Sequence, residues 1–338
     1  MAHYLITGHT GFKGAWLTLL LKARGHEVSG LALDPPNESL FVKAGLADEL
    51  VHDFRVDIRN RDATREAIQT ISPDFVIHMA AQALVREGYR RPVETYDTNV
   101  LGTMNVLLAT DATDSVQAQL IVTTDKVYED RGYGRPYVET DPLGGKDPYS
   151  VSKAMADLLA QEWLARPGSK PGAIARAGNV IGAGDYSVDR LIPDIGRALG
   201  SGAALEVRYP SAIRPWQHVL DCVNGYLALL DSVGQQGASG AWNFGPSPEN
   251  AVSVEQVVAF VSSRASGRLE VAYGSDQGMA EDTMLTLDSS KALEHLTWTN
   301  RLNFSTSLEF AVEEIIGGES RSLREIAVAQ VFQFLNVS

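Results

Sequence analysis

Apolar runs and helical stretches alternate along the first half of the chain. The run Tyr4-Leu-Ile-Thr7 breaks at three glycines, Gly8, Gly11 and Gly14, and residues 15–24 then carry an apolar helical pattern closed by Gly25. Residues 27–33 and 51–56 read as two further strands, 61–71 as a helix and 74–78 as a fourth strand. The fourth strand leads into the small-residue turn Met79-Ala-Ala-Gln82. Pro92 opens a long helix to Ala109, proline being favoured in a first helical turn. Residues 120–124 are continuously apolar up to two threonines, the mark of a strand buried on both faces. Strands alternating with helices imply parallel, right-handed crossovers with helices on both faces. The first 125 residues therefore predict a doubly wound parallel α/β sheet.

Beyond a polar, glycine-rich loop over 125–146, a helix begins at Asp147-Pro148, residues 173–177 form a strand and 190–199 a helix. Strands then shorten and loops lengthen, as in a smaller lobe that grips a ligand. Trp242-Asn-Phe-Gly245 reads as one more core strand, and 320–335 as a packed terminal helix. The chain thus predicts a dinucleotide-binding domain from 1–178 plus 216–246 and a substrate domain from 179–215 plus 247–338.

The glycine turn between strand and helix is the geometry that binds a pyrophosphate. Glycines let the backbone approach the phosphates, and the helix N-terminus offers free amides with partial positive charge. Asp34, about 20 residues past the last glycine, either accepts from a ribose hydroxyl or is a turn aspartate ahead of Pro35-Pro36. Ligands of such sheets bind at the C-terminal strand ends. Gly8, Asp34, Asp57, Ala80 and Thr124 all sit at predicted ends, a gathering of small and polar residues that core packing does not explain.

Composition narrows the classes. The 338 residues are 44% hydrophobic and 21% charged, ordinary for a globular protein with room for two lobes. No apolar run nears the roughly 20 residues that cross a bilayer, and the N-terminus enters a strand without a signal-peptide layout. The single cysteine, Cys222, excludes an intramolecular disulfide framework and a cysteine-based zinc site. These features suit the cytoplasm. The net charge of −13 disfavours nucleic acid and anionic membranes as partners. It leaves room for an anionic small molecule held by local arginines and a helix terminus. The seven histidines are scattered, and no metal site is expected.

Tyr149-Ser-Val-Ser-Lys153 places a tyrosine and a lysine on one helix face. A phenol titrates near 10, and a nearby ammonium favours its phenolate, so Tyr149 is a candidate base for a sugar hydroxyl. Together with the glycine turn and Thr124, this identifies the chain as similar to the extended short-chain dehydrogenase/reductases. The matching residues are Thr7-Gly-x-x-Gly-x-x-Gly14, Asp57-Ile58, His78-Met-Ala-Ala81, Asn99, Thr124, Tyr149 and Lys153. The resemblance implies a Rossmann-type fold, a tightly held NAD and a nucleotide-sugar substrate. It places Gly8, Thr10, Gly11, Phe12, Lys13, Gly14, Asp34, Asp57, Ile58, Ala80, Ala81, Gln82 and Asn99 at the cofactor, with Tyr149 and Lys153. Thr124 and Tyr149 would contact the sugar hydroxyl, and Lys153 the nicotinamide ribose.

Longer motifs resemble the branch of this family that dehydrates CDP-glucose. They include Gly8-His-Thr-Gly-Phe-Lys-Gly14, Thr124-Asp-Lys126 with Tyr128, Arg176-Ala-Gly-Asn-Val-Ile-Gly182, Asp189-Arg-Leu-Ile-Pro-Asp194 and Arg214-Pro-Trp-Gln-His-Val-Leu220. The chain departs from that branch at Tyr133, Gly134 and Arg135, and over 278–284. Losing water across C5–C6 needs two groups beyond Thr/Tyr/Lys, one to take the C5 proton and one to protonate the departing hydroxyl. By resemblance Asp125 is that acid and Lys126 acts at C5, which requires its neutral form. Arg86, Asn179, Arg190, Arg214 and Gln217 are implied at the substrate, a CDP-hexose. The resemblance further implies deoxysugar biosynthesis for lipopolysaccharide O-antigen. It also implies a homodimer or dimer of dimers through the helices starting near Pro92 and Pro148.

Overall fold

The computed structural model describes residues 1–132, 134–188, 190–233, 238–274, 285–317 and 320–337. Tyr133, Asp189 and the stretch 278–284 singled out above lie outside the described residues. In chain order the first lobe runs β1 (His3–Thr7), α1 (Phe12–Ala23), β2 (Glu27–Ala32), α2 (Leu40–Lys43), β3 (Asp53–Arg55), α3 (Arg61–Ile71) and β4 (Phe75–His78). It continues through α4 (Val85–Arg90), α5 (Pro92–Tyr96), α6 (Thr103–Asp111), β5 (Ala118–Val122), α7 (Pro148–Leu164) and β6 (Gly172–Ala177). The helices α8 (Leu191–Ser201) and α9 (Val219–Ser232) precede a last sheet strand, Gly240–Phe244. The seven strands lie in the order β3-β2-β1-β4-β5-β6 and then Gly240–Phe244, every neighbouring pair parallel. This is the doubly wound sheet the alternation predicted, with its order reversing between β1 and β4.

Side chains of a strand alternate between faces. Tyr4 and Ile6 join a core with Trp16, Leu17 and Leu20 of α1 and with α9. Leu5 joins Ile68 of α3 and Val106 of α6 on the other face. The terminal helix Leu323–Asn336, assigned by sequence to the second lobe, packs Ile326, Ala327 and Phe334 into the α1 core. A separate core of Ile192 and Ile195 from α8, Val207, Val257, Val258, Leu308 and Val312 forms the smaller lobe.

The helix read as 92–109 is interrupted by a wider π-helical turn, Asp97–Gly102. That turn brings Asn99 and Gly102 to their contacts. A Cβ on Gly102 would lie 2.6 Å from Ile58 Cδ1, so a larger residue there would have to displace the Ile58 side chain. The short helices α2 and α4 had no periodic signal, being only 4 and 6 residues long.

Candidate active site

A cleft of about 1100 Å³ opens along the C-terminal strand ends, between the sheet and the smaller lobe. Its floor is the glycine turn. Gly8 has φ +78, and a Cβ there would lie 2.8 Å from Ala80 N. A Cβ on Gly14 would lie 2.4 Å from Gly8 O, so α1 rests directly on the turn. Gly11 caps α1 without any side-chain acceptor, which leaves the first amides of a 12-residue helix facing the cleft. Thr10, Gly11, Phe12, Lys13, Asp57, Ile58, Ala80, Ala81 and Gln82 also line it. A glycine cradle too tight for a Cβ at Gly8 and Gly14, under a free helix terminus, fits the pyrophosphate of a dinucleotide such as NAD.

The turn is held from below by a buried chain. Thr7 Oγ1 accepts from the amides of Met79 and Ala80, both at 3.1 Å, and meets His78 Nδ1 at 2.7 Å. His78 Nε2 meets Thr103 Oγ1 at 2.9 Å, whose hydroxyl donates to Asn99 O at 2.7 Å. Thr103 therefore accepts from His78, which makes Nε2 the protonated nitrogen and Nδ1 the acceptor for Thr7. Burial, with the nearby Lys153 charge, lowers His78 to about 3 and keeps it neutral.

Two residues expected at the cofactor stand elsewhere. Asn99 is fully buried: it accepts from Gln82 N at 2.8 Å and donates to Gln82 O at 3.0 Å and Ser152 Oγ at 2.8 Å. It clamps the Ala80–Gln82 turn to α7 and does not face the cleft. Asp34 is exposed at the rim, 3.4 Å from Arg55 Nε, while its neighbours Ala32 and Leu33 line the cleft. Sequence reasoning also missed His9. Its ring lies where a Gly30 side chain would be, within 2.3 Å of an added Cβ, and Nε2 meets Asp53 at 2.8 Å. A lone glycine inside a strand pattern was the available signal for that close approach.

Thr124, Lys126, Tyr149 and Lys153 converge on the cleft. The helix carrying the last two starts where it does because Asp147 caps it, accepting from Ser150 N at 3.0 Å, with Pro148 in the first turn. Burial pushes the Tyr149 phenol up to about 12, opposed by its hydrogen bond with Thr124 and by the Arg190 charge. Lys153 Nζ donates to Val122 O at 2.9 Å, and burial lowers it to about 8. The groups that pull the phenol toward ionisation here are thus Thr124 and Arg190, whereas the sequence reading gave that part to Lys153. Asp125 is buried just beneath, its Oδ1 accepting from Thr124 at 2.8 Å and its Oδ2 3.1 Å from where a Gly178 Cβ would be. Burial raises its pKa, against the pull of Thr124, Lys126 and Lys13.

On the substrate side, Arg86, Asn179 and Arg190 line the cleft, Arg190 lying 3.3 Å from Asp185. Arg214 and Gln217 do not. Arg214 is half-buried on the strand Ile213–Pro215, and Gln217 is buried, donating to Asn300 at 3.0 Å. Arg208, which follows the strand Leu205–Val207, lines the cleft and was not anticipated, because a three-residue strand gives no pattern to read. Among the described residues no cluster of three or more His, Cys, Asp or Glu is gathered for a metal, and no helix is long and apolar enough to cross a membrane.

A parallel sheet with this glycine turn and a Thr/Tyr/Lys cleft defines a class. The chain belongs to the NAD dependent epimerase/dehydratase family, whose model matches residues 4–245, and NAD is its cofactor. It is 39% identical to a CDP-glucose 4,6-dehydratase of Salmonella typhimurium over 313 residues, 90% of this chain and 87% of that one. A UDP-glucose 4-epimerase of Erwinia amylovora is 29% identical over 87% of this chain and 92% of its own. Among solved structures, MoeE5 in complex with UDP-glucose and NAD superposes with a TM-score of 0.77 at 26% identity, covering 92% of this chain and 97% of that one.

Proposed function

We propose that this protein is a nucleotide-sugar 4,6-dehydratase that converts CDP-glucose to CDP-4-keto-6-deoxyglucose and water. The observation that carries it is the pair Asp125 and Lys126 directly after Thr124, Lys126 lining the cleft with Tyr149 and Lys153 and Asp125 buried just beneath. Bound NAD would supply the hydride acceptor for C4 and the hydride donor for C6. Gly8, Gly11 and the α1 amides hold the pyrophosphate. Tyr149 accepts the C4 hydroxyl proton, with Thr124 orienting it and Lys153 and Arg190 supplying positive charge. Asp125, whose pKa burial raises, gives a proton to the departing C6 hydroxyl. Lys126 takes the C5 proton, made acidic by the ketone at C4, and gives it back to C5 when the hydride arrives at C6. Asn179, Arg86, Arg190 and Arg208 meet the diphosphate and its nucleoside.

The reading includes a homodimer in the cytoplasm feeding deoxysugar biosynthesis, as for an O-antigen. Val93, Leu101, Met155 and Leu158 support the dimer: they are 73%, 48%, 45% and 53% exposed along α5, the π-turn and α7. The activity is tested by mass spectrometry of CDP-, UDP-, dTDP- and GDP-glucose, each incubated with protein and NAD. The expected result is loss of one water from CDP-glucose without net formation of NADH. An isomer of unchanged mass would replace dehydration with 4-epimerisation, and no product from any of the four would overturn the reading.

A further inference from the structure

Below the cleft runs a buried polar network that the chemistry above does not use. Arg176 on β6 is 1% exposed and Asp157 on α7 is fully buried. The guanidinium meets the carboxylate through two bonds, Nη2 to Oδ1 at 2.7 Å and Nε to Oδ2 at 2.9 Å. The Thr123 hydroxyl donates to the same carboxylate at 2.8 Å and Gln161 Nε2 at 2.7 Å. The remaining nitrogen, Nη1, donates to the Tyr128 hydroxyl at 2.9 Å and to Glu139 O at 3.0 Å. Tyr128 in turn donates to Asn243 Oδ1 at 2.7 Å, and its ring stacks on Tyr137 with centroids 5.1 Å apart.

The places of these residues in the chain give the network its meaning. Asp157 stands one turn past Lys153, itself one turn past Tyr149, on a single helix. Thr123 immediately precedes Thr124. Tyr128 ends the 3-10 turn Asp125–Val127 that carries the acid and the C5 group. Arg176 lies two residues before Gly178, whose missing Cβ leaves room for Asp125. One guanidinium is therefore tied to each segment that bears a reactive group. A buried ion pair is poor evidence of stability, since apolar residues of like volume often do as well. A rigid, planar fork does fix the relative position of what it joins.

We propose that Arg176, Asp157 and Tyr128 form a positioning unit that holds Asp125 and Lys126 in register with Tyr149 and Lys153. None of the three lines the cleft. The Asp157 arm fixes α7 against the end of β5, where C4 oxidation occurs. The Tyr128 arm sets the turn that performs elimination. This rests on the dehydratase reading, because only elimination needs the second pair placed against the first.

The test is Tyr128→Phe in the NAD-loaded enzyme, followed under single turnover with CDP-glucose at 340 nm and by mass. The substitution keeps the stacked ring and removes one hydroxyl. Displacement of a reacting group costs up to about 100-fold, and water loss is expected to slow by about 10-fold or more. The 340 nm rise should keep the wild-type rate and then persist, because oxidation proceeds while elimination waits. KM for CDP-glucose should stay within about two-fold, as ground-state binding is untouched. Asp157→Asn should instead slow the 340 nm rise itself, and Arg176→Lys should rescue neither step, because an ammonium cannot span the carboxylate and the phenol. If Asp157→Asn does not fold, Tyr128→Phe carries the test alone. A Tyr128→Phe enzyme with wild-type progress at 340 nm, or with both steps slowed alike, would overturn the proposal. Wild-type enzyme that removes no water would overturn the dehydratase reading, and this unit's role with it.

Discussion

Substituting the two glycines at the start of α1 should separate cofactor binding from stability. At Gly14, an alanine Cβ would stand 2.4 Å from Gly8 O and 2.6 Å from His9 Cα, both backbone atoms with no flexible end to move. Gly14→Ala must push α1 off the turn, and overpacking of this kind costs about 1–3 kcal/mol. At Gly11 the backbone is extended, with φ −76, and the nearest contact of a new Cβ is Gly8 O at 3.3 Å. The free protein can absorb Gly11→Ala with a shift of a few tenths of an ångström. The new methyl then lies on the face where the pyrophosphate must approach the backbone. NAD affinity should fall at least about ten-fold, or about 1.4 kcal/mol. Gly200→Ala, an exposed helical site with nothing within 4 Å, serves as the control and should gain about 0.5–1 kcal/mol. Urea unfolding without cofactor and calorimetric titration with NAD measure the two effects. Wild-type NAD affinity in Gly11→Ala, or wild-type unfolding in Gly14→Ala, would refute the assignment of the turn as a steric cradle.

Arg176→Met leaves Asp157 buried without its counter-charge, and removing one member of such a pair costs about 3–5 kcal/mol. Urea unfolding should show that loss and its near-complete recovery in Arg176→Met/Asp157→Leu. A single variant within about 1 kcal/mol of wild type would contradict it. Lys153 is lowered by burial from 10.5 to about 8, so between those values the unfolded chain holds the extra proton and raising the pH favours the fold. The cofactor-free protein should therefore gain about 3 kcal/mol across that window, at 1.36 kcal/mol per pH unit. The Lys153→Met variant should lack that rise, so unfolding curves of the two proteins at pH 7.5 and 10.5 should diverge by that amount.

The elements that sequence shows well are those with a long period. Seven strands and the amphipathic helices between them are visible because apolar runs alternate with helical faces, and Gly8 and Gly14 announce the turn by spacing alone. The helix α9, buried all round over Val219–Leu230, has no polar face to read and was missed. Roles carried by buried polar contacts are hidden. Asn99 looks like a cofactor ligand from its place in a motif, yet its amide is used up at Gln82 and Ser152. Gln217 is likewise buried, its Nε2 turned to Asn300. Arg208 is invisible because its strand is three residues long and its partner strand, Val271–Tyr273, comes 64 residues later in the chain. The terminal helix misleads for a related reason. Its apolar stripe states that it packs, and only the tertiary fold states that it packs on α1.

Charge illustrates the same division between what is global and what is local. A chain of net charge −13 is an unpromising receptor for a nucleoside diphosphate sugar and a dinucleotide, both anionic. Yet eight lysines and arginines line the cleft against three acids. The excess is drawn from separate parts of the fold: Lys13 on α1, Arg86 and Arg90 on α4, Lys126 after β5, Lys153 on α7, and Arg190 and Arg208 from the smaller lobe. Screening confines exposed charges to about 8 Å at physiological ionic strength, so the acidic exterior counts for little inside. Local cations and the free amides of α1 set the potential there. Net charge thus excludes extended polyanions, which must contact broad surface, and leaves a small anion that enters the cleft untouched. Burial, more than this gathering, sets the shifts within the site. Burial lowers Lys153 against the pull of Asp157, with Lys13 adding a little, and burial raises Asp125 despite Lys126 and Lys13. The raised carboxyl of Asp125 is shifted in the direction that acid catalysis favours, and Lys153, lowered to about 8, still carries its charge at neutral pH.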